Sequence, residues 1–302
     1  MMKRSPFFYV GDKYKLMPQL NLLFPVSIET YYEPFLGGGS SMINTSAKKY
    51  VVNDVDKYVI QLHKFLVTYS KNRDYFFKCL FNLISQYDLS CSYKGDLIPS
   101  EIKKKYPKTY FAKINSQPYK QLKDDYNNTH KPILLYLLLI YGFNHMIRFN
   151  SSGVFNLPVG NVDFNKNVYN ALNSYFDFAS QSNVSYSCLD YQKFIKKQTF
   201  GKSDFIYFDP PYLISLSEYN SLWNDENEKQ LYLLLDELSE KGVLWGITNL
   251  IRHKGKTNKI FEEWAKKYTV YNIKSNYISF NDNSIKEGSK EVYVTNYGKS
   301  NI

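Results

Sequence analysis

Cysteine is scarce in this chain of 302 residues: Cys79, Cys91 and Cys188 are the whole supply, and no two of them share a short spacing. That excludes a disulfide framework and a zinc cluster built from cysteines, so we expect three reduced thiols and no metal. Long hydrophobic runs are missing too. The longest, Ile133 to Ile140, is less than half of the ~20 apolar residues that a bilayer crossing takes. The opening Met-Met-Lys-Arg-Ser-Pro lacks the hydrophobic stretch and small-residue cleavage site of a secretory signal, and we expect a cytoplasmic protein without a membrane partner. Arginine is the third scarcity. Of 38 basic residues only Arg4, Arg73, Arg148 and Arg252 are arginines, so each marks a place where bidentate recognition, which lysine cannot supply, is worth looking for.

What is present in excess is positive charge and aromatic rings. Lys and Arg outnumber Asp and Glu by 38 to 28, a net charge of +10, which makes a polyanion a plausible partner. Abundant Lys, Asn, Ile, Tyr and Phe also follow from AT-rich codons, so the charge alone does not decide the matter. With 44% apolar and 22% charged residues the composition is that of a globular protein, long enough for one large domain or two modest ones.

The apolar pattern predicts an α/β architecture. Leu16, Leu20, Leu23 and Phe24 lie at helical spacing and stop before Pro25. Thr30 to Phe35 reads as a strand running into Leu36-Gly37-Gly38-Gly39-Ser40-Ser41, and after a short helix Tyr50-Val51-Val52-Asn53-Asp54 reads as a second strand with an acidic end. This is the first half of a doubly wound sheet. From about Lys57 to Asn165 the character changes. Helices are predicted around Tyr58 to Leu66 and Cys79 to Ile84, Ile133 to Tyr141 fits a buried helix or a strand, and Phe149 to Asn156 reads as a hairpin turning at Ser-Gly. The α/β pattern then resumes: a strand at Val184 to Ser187, a buried strand at Asp204 to Phe208, and a helix capped at Asp225 with Glu228 three residues on. Strands at Val243 to Thr248, Val270 to Ile273 and Glu291 to Thr295 follow.

Two motifs carry chemistry. Asp209-Pro210-Pro211-Tyr212 follows the buried strand directly, where α/β folds place their ligand crevice. The prolines stiffen the turn and donate no N–H, so its carbonyls serve as acceptors. Such a set suits a planar amino group on a heteroaromatic ring: Asp209 and the Pro210 carbonyl each accept one N–H, and Tyr212 stacks on the ring. The alternative is a rigid turn with an exposed acid. The second motif is Glu33-Pro34-Phe35-Leu36-Gly37-Gly38-Gly39, whose glycines allow close backbone approach, with Asp54 placed to accept from a ribose diol. It has neither the GxGxxG spacing nor the Gly-Lys-Ser/Thr of a phosphate loop.

Together these motifs resemble the Dam-type (D12 class) N6-adenine DNA methyltransferases, over nearly the whole chain. Tyr207 to Trp223 is especially similar to the T-even phage branch of that family. The resemblance implies a Rossmann-like sheet that binds S-adenosyl-L-methionine, built from 1–56 and 165–302. It also implies an inserted, mainly helical target-recognition domain at 57–164 that carries a β-hairpin. Tyr9, Lys13, Phe35, Gly37, Gly39 and Asp54 would then bind the cofactor, and Asp209, Pro210 and Tyr212 would be catalytic. On the hairpin, Phe143 and Asn144 would wedge beside a flipped adenine in duplex DNA, while Met146, Arg148 and Pro158 would read base edges. A GAT-containing site and a protein monomeric in solution, pairing at most transiently on DNA, are the corresponding expectations. Two departures stand out. The N-terminal turn is Val10-Gly11-Asp12-Lys13 where Thr-Gly-Gly-Lys is usual, and Gly160 is followed by Asn161-Val162 where the phage branch has Lys-Arg. Cytosine N4, an RNA amino group, or a catalytically idle DNA-binding protein remain the alternatives.

Overall fold

The computed structural model describes residues 2–215, 223–274 and 288–298. In chain order the elements are α1 (Met17–Leu20), β1 (Thr30–Glu33), α2 (Ser40–Asn44), β2 (Lys49–Asn53), α3 (Lys57–Thr68), α4 (Arg73–Gln86), α5 (Ser100–Lys105), α6 (Tyr110–Thr129) and α7 (Pro132–Tyr141). They continue with α8 (Lys166–Gln181), β3 (Val184–Ser187), α9 (Tyr191–Lys196), β4 (Phe205–Phe208), α10 (Asp225–Glu240), β5 (Leu244–His253), β6 (Lys256–Thr257), α11 (Lys259–Trp264), β7 (Thr269–Ile273) and β8 (Lys290–Thr295).

One sheet in the order β3-β2-β1-β4-β5-β8-β7 organises the molecule, with β6 paired to the end of β5. Strands β3 to β5 run parallel, and β8 lies antiparallel between β5 and β7. The winding reverses between β1 and β4, so the ends of these two neighbours flank the switch-point crevice. Every residue of β1 and β4 is buried, as parallel strands covered on both faces require. Alternation along the strands sorts their side chains. Tyr31, Phe205 and Tyr207 join an apolar cluster with α3, α4, α6, α7 and α8, whereas Tyr32, Ile206 and Phe208 join another with α9, α10 and α11. The first cluster is continuous across positions 57 and 164, since Phe7, Ile60, Leu137 and Tyr175 all belong to it.

Three local expectations change, and one open alternative is decided. The helix expected through Phe24 shrinks to α1: Leu22 and Leu23 bond back only three residues, although Leu16, Leu20 and Phe24 stay buried. The apolar run after Lys131 is a helix, α7, buried from Leu134 to Tyr141 and opened by Pro132, which is tolerated where no intrahelical N–H bond is needed. The cap of α10 is Asn224, one residue before the expected Asp225, in a reciprocal pair with Asn227, because Glu228 is drawn into the core. The hairpin pairs only through the isolated bridges Phe149↔Phe155 and Gly142↔Val159. Asn150 closes its turn by accepting the N–H groups of Ser152 and Val154.

Candidate active site

The chain leaves β1 through Pro34 and Phe35 into the glycine turn. Gly37 and Gly39 have φ of +48° and +74°, a left-handed backbone that side chains resist. Gly37 N–H donates to Asp54 Oδ2 at 2.8 Å, and Asp54 Oδ1 accepts the Asp56 N–H at 2.9 Å. Burial pushes the Asp54 carboxyl up to about 6 against the pull of these donors. Tyr9 packs over the turn so closely that a Cβ on Gly38 would stand 3.0 Å from its own Cβ. Beneath the turn lies His63, wholly buried, with Nε2 2.9 Å from the Gly37 carbonyl and Nδ1 2.9 Å from the Tyr175 hydroxyl. A carbonyl only accepts, so Nε2 carries the proton and Nδ1 accepts from Tyr175. Burial lowers the His63 pKa to about 4, which keeps the ring neutral. Phe35 faces a ring wall, with centroids 5.2 Å from Tyr191 and 5.8 Å from Trp223.

Across the crevice, Asp209 leaves the end of β4. Two donors converge on its Oδ1, Lys13 Nζ at 2.9 Å and Thr248 Oγ1 at 3.0 Å, with the Tyr212 hydroxyl oxygen 3.3 Å away. The Tyr212 hydroxyl lies closer to Glu291 Oε1, at 2.7 Å, and its proton goes there. Lys13 Nζ also donates to the Gly11 carbonyl and stands 4.8 Å from the centre of the Tyr212 ring. Burial would depress the Lys13 ammonium, but Asp209 and Glu291 outweigh it and hold its pKa above the ordinary lysine value. Burial likewise raises Asp209, with Lys13 pulling the other way. The crevice thus holds a charged nitrogen against Asp209 and over an aromatic ring.

The remaining candidates lie on the hairpin. Phe143 is 48% exposed, Asn144 is exposed in the left-handed region at φ +53°, and the exposed Pro158 accepts the Phe143 N–H at 3.0 Å, so these three share one end. Met146 packs against the first cluster. Arg148 grips Asn156, Nε to the side-chain oxygen at 3.0 Å and Nη2 to the carbonyl at 3.1 Å. Asn161, at one of the two departures after the hairpin, accepts from Phe111 at the start of α6. Thr248, Glu291 and His63 were not among the sequence candidates. A glutamate opening an apolar strand was the one signal for Glu291, and nothing local distinguished the other two. Residues 216–222 of the stretch likened to the phage branch lie outside the described residues.

The family model for D12 class N6 adenine-specific DNA methyltransferases matches residues 9–278. The chain is 31% identical to the type II methyltransferase M.FokI of Planomicrobium okeanokoites and 30% identical to the modification methylase StsI of Streptococcus sanguinis. Each match covers 97% of this chain and 43% of the relative. The chain therefore spans less than half the length of these two. It is also 26% identical to the DNA adenine methylase of Salmonella typhi, over 70% of this chain and 66% of that one. No helix among the described residues is long and apolar enough to cross a membrane. A match running through the glycine turn, the helical middle, the hairpin and the Asp-Pro-Pro-Tyr turn covers well over half of the chain, which belongs to the D12 class of N6 adenine-specific DNA methyltransferases.

Proposed function

We propose that this protein transfers a methyl group from S-adenosyl-L-methionine to N6 of an adenine turned out of duplex DNA, within a short site containing GAT. The observation that carries the reading is the placement of Lys13. Its ammonium donates to Asp209 Oδ1 above the Tyr212 ring, which is the set of contacts an exocyclic amino group would need. In this reading the amino group of the base takes over this position at Asp209.

The residues of the glycine turn fit the cofactor. Gly37 and Gly39 give the turn its left-handed backbone, Asp54 is an acceptor for a ribose diol, and the half-buried Phe35 offers a ring face. When bound, the cofactor supplies a methyl group already activated on a sulfonium. On the protein side, Asp209 and the Pro210 carbonyl accept the two N6 hydrogens, draw the nitrogen lone pair out of the ring and aim it across the crevice. Nitrogen is itself the nucleophile, so no side chain need form a covalent intermediate. Unstacking the adenine costs a few kcal/mol. Stacking on Tyr212 returns ~1–3 kcal/mol of that.

Segment 57–164, with Phe143, Asn144, Met146, Arg148 and Pro158 on its hairpin, is the DNA-recognition part in this reading, and the protein acts in the cytoplasm as a monomer. The names of the relatives support a place in a restriction-modification system. Sequencing a plasmid from cells that express the chain and have no other adenine methylase tests the proposal. N6-methyladenine confined to one GAT-containing site is the expected result. Methyl groups on cytosine or on RNA, or an unmodified plasmid despite folded protein, would overturn it.

A further inference from the structure

Among the described residues three glutamates are almost wholly buried, and they are not alike. Glu228 accepts from Trp223, Tyr232, Asn249 and Asn258, and Glu33 accepts from Tyr31 and Ser41, so both carboxylates are tied into the fold on each oxygen. Glu291, 2% exposed on β8, has the Tyr212 hydroxyl at 2.7 Å as its one hydrogen-bond partner among the described residues. Its Oε2 is buried with none. A buried carboxylate with an orphaned oxygen is costly even with the Lys13 ammonium nearby, and as a device for stability it would be a poor one. What it does hold is a ring of the Asp-Pro-Pro-Tyr turn. The Tyr212 hydroxyl donates to Glu291, so the ring is held at its far end while the prolines fix the backbone at the other.

We propose that Glu291 is a positioning residue for the reacting base: through the Tyr212 hydroxyl it locks the ring in the orientation that receives the base beside Asp209. Without this bond the Tyr212 ring loses one of its anchors, and the amino group no longer meets Asp209 in line with the methyl group, a misplacement that acts on the rate constant and leaves cofactor binding alone. This inference rests on the adenine-methylation reading above.

The test uses the full chain, plasmid DNA and radiolabelled S-adenosylmethionine, with kcat and KM measured for Glu291→Gln, Glu291→Ala, Tyr212→Phe and the double variant Tyr212→Phe/Glu291→Ala. Glu291→Ala and Tyr212→Phe should each lower kcat by about 10-fold or more, as loss of a hydrogen bond to a charged group does. Affinity for S-adenosylmethionine, read by calorimetry, should stay within about threefold. The double variant should be no slower than the slower single one, because both changes remove one bond, and Glu291→Gln, which keeps an acceptor, should recover most of the rate. Additive losses in the double variant, or a fall in cofactor affinity that matches the fall in kcat, overturn the proposal. Should Glu291→Ala fail to fold, as its melting curve would show, the remaining pair decides: a fast Glu291→Gln beside a slow Tyr212→Phe supports it, and equal losses refute it. A wild-type protein that methylates no adenine sinks the underlying reading instead, which separates the two failures.

Discussion

Asp209, at the end of β4, accepts from Lys13 and Thr248 on one oxygen, and in the proposed reading an amino group takes the place of the lysine. Asp209→Ala should abolish methyl transfer while S-adenosylmethionine still binds within several-fold, and turnover above about a tenth of wild type would contradict its role. Asp209→Asn should retain some activity, since an amide oxygen still accepts. Asp54 titrates near pH 6, so protonation on acidification removes the charged acceptor. Cofactor affinity should therefore drop as pH falls through about 6, and Asp54→Asn should flatten that profile in calorimetry. Stability responds to Asp54 in the opposite sense. Its folded pKa is raised from 3.8, so its contribution is present at low pH and is lost as pH rises through about 6. His63 opposes it in an overlapping window. Its pKa is lowered from 6.5 to about 4, the unfolded chain takes up the proton first, and stability is lost as pH falls between these values, by up to ~1.4 kcal/mol per pH unit. Denaturant midpoints for wild type and His63→Leu should therefore converge on acidification, and a constant gap would contradict a neutral buried ring.

The sheet strands β1 to β5, β7 and β8 and helices such as α3, α4 and α10 were legible because each is one uninterrupted word of sequence, such as the apolar run of β4 or the Leu231, Leu234, Leu235 and Leu238 stripe of α10, whereas the polar α6 and α8 were not. Legibility failed where tertiary burial outvoted local pattern. The cap moved to Asn224 because Glu228 found four donors inside, and β5 runs on to His253 because β8 and β6 pair with it there. The site divides in the same way. Its two turns are contiguous motifs, but Tyr212 and Glu291 are 79 residues apart and no spacing rule joins them. The glycine turn yields a direct check. Gly39→Ala would force a side chain into φ +74° and set its Cβ 3.0 Å from the His63 ring, so it should cost ~1–2 kcal/mol of stability and raise the KM for S-adenosylmethionine. On the hairpin, Arg148 already uses its fork on Asn156, a geometry that transfers to guanine O6 and N7. Arg148→Ala should relax selectivity at one guanine by ~1–3 kcal/mol in competition between sites, whereas Arg148→Lys should restore general affinity without restoring the discrimination.

With a net charge of +10, the molecule as a whole carries the charge that a polyanion partner would draw on. The logarithm of its DNA-binding constant should fall linearly with the logarithm of salt concentration, by ~0.9 for each phosphate contacted on a duplex. A flat response would leave the lysines to codon usage. The order of strands adds a matter of timing. During synthesis β7 is made before β8, yet it pairs in the sheet only with β8, so it stays off the sheet until β8 has docked on β5. Glu291 arrives with that last docking, long after the glycine turn and the Asp-Pro-Pro-Tyr turn have emerged. A chain that has made both motifs but has not yet docked β8 lacks the contact that fixes Tyr212, and on the proposal above its chemical step is slow until that strand is in place.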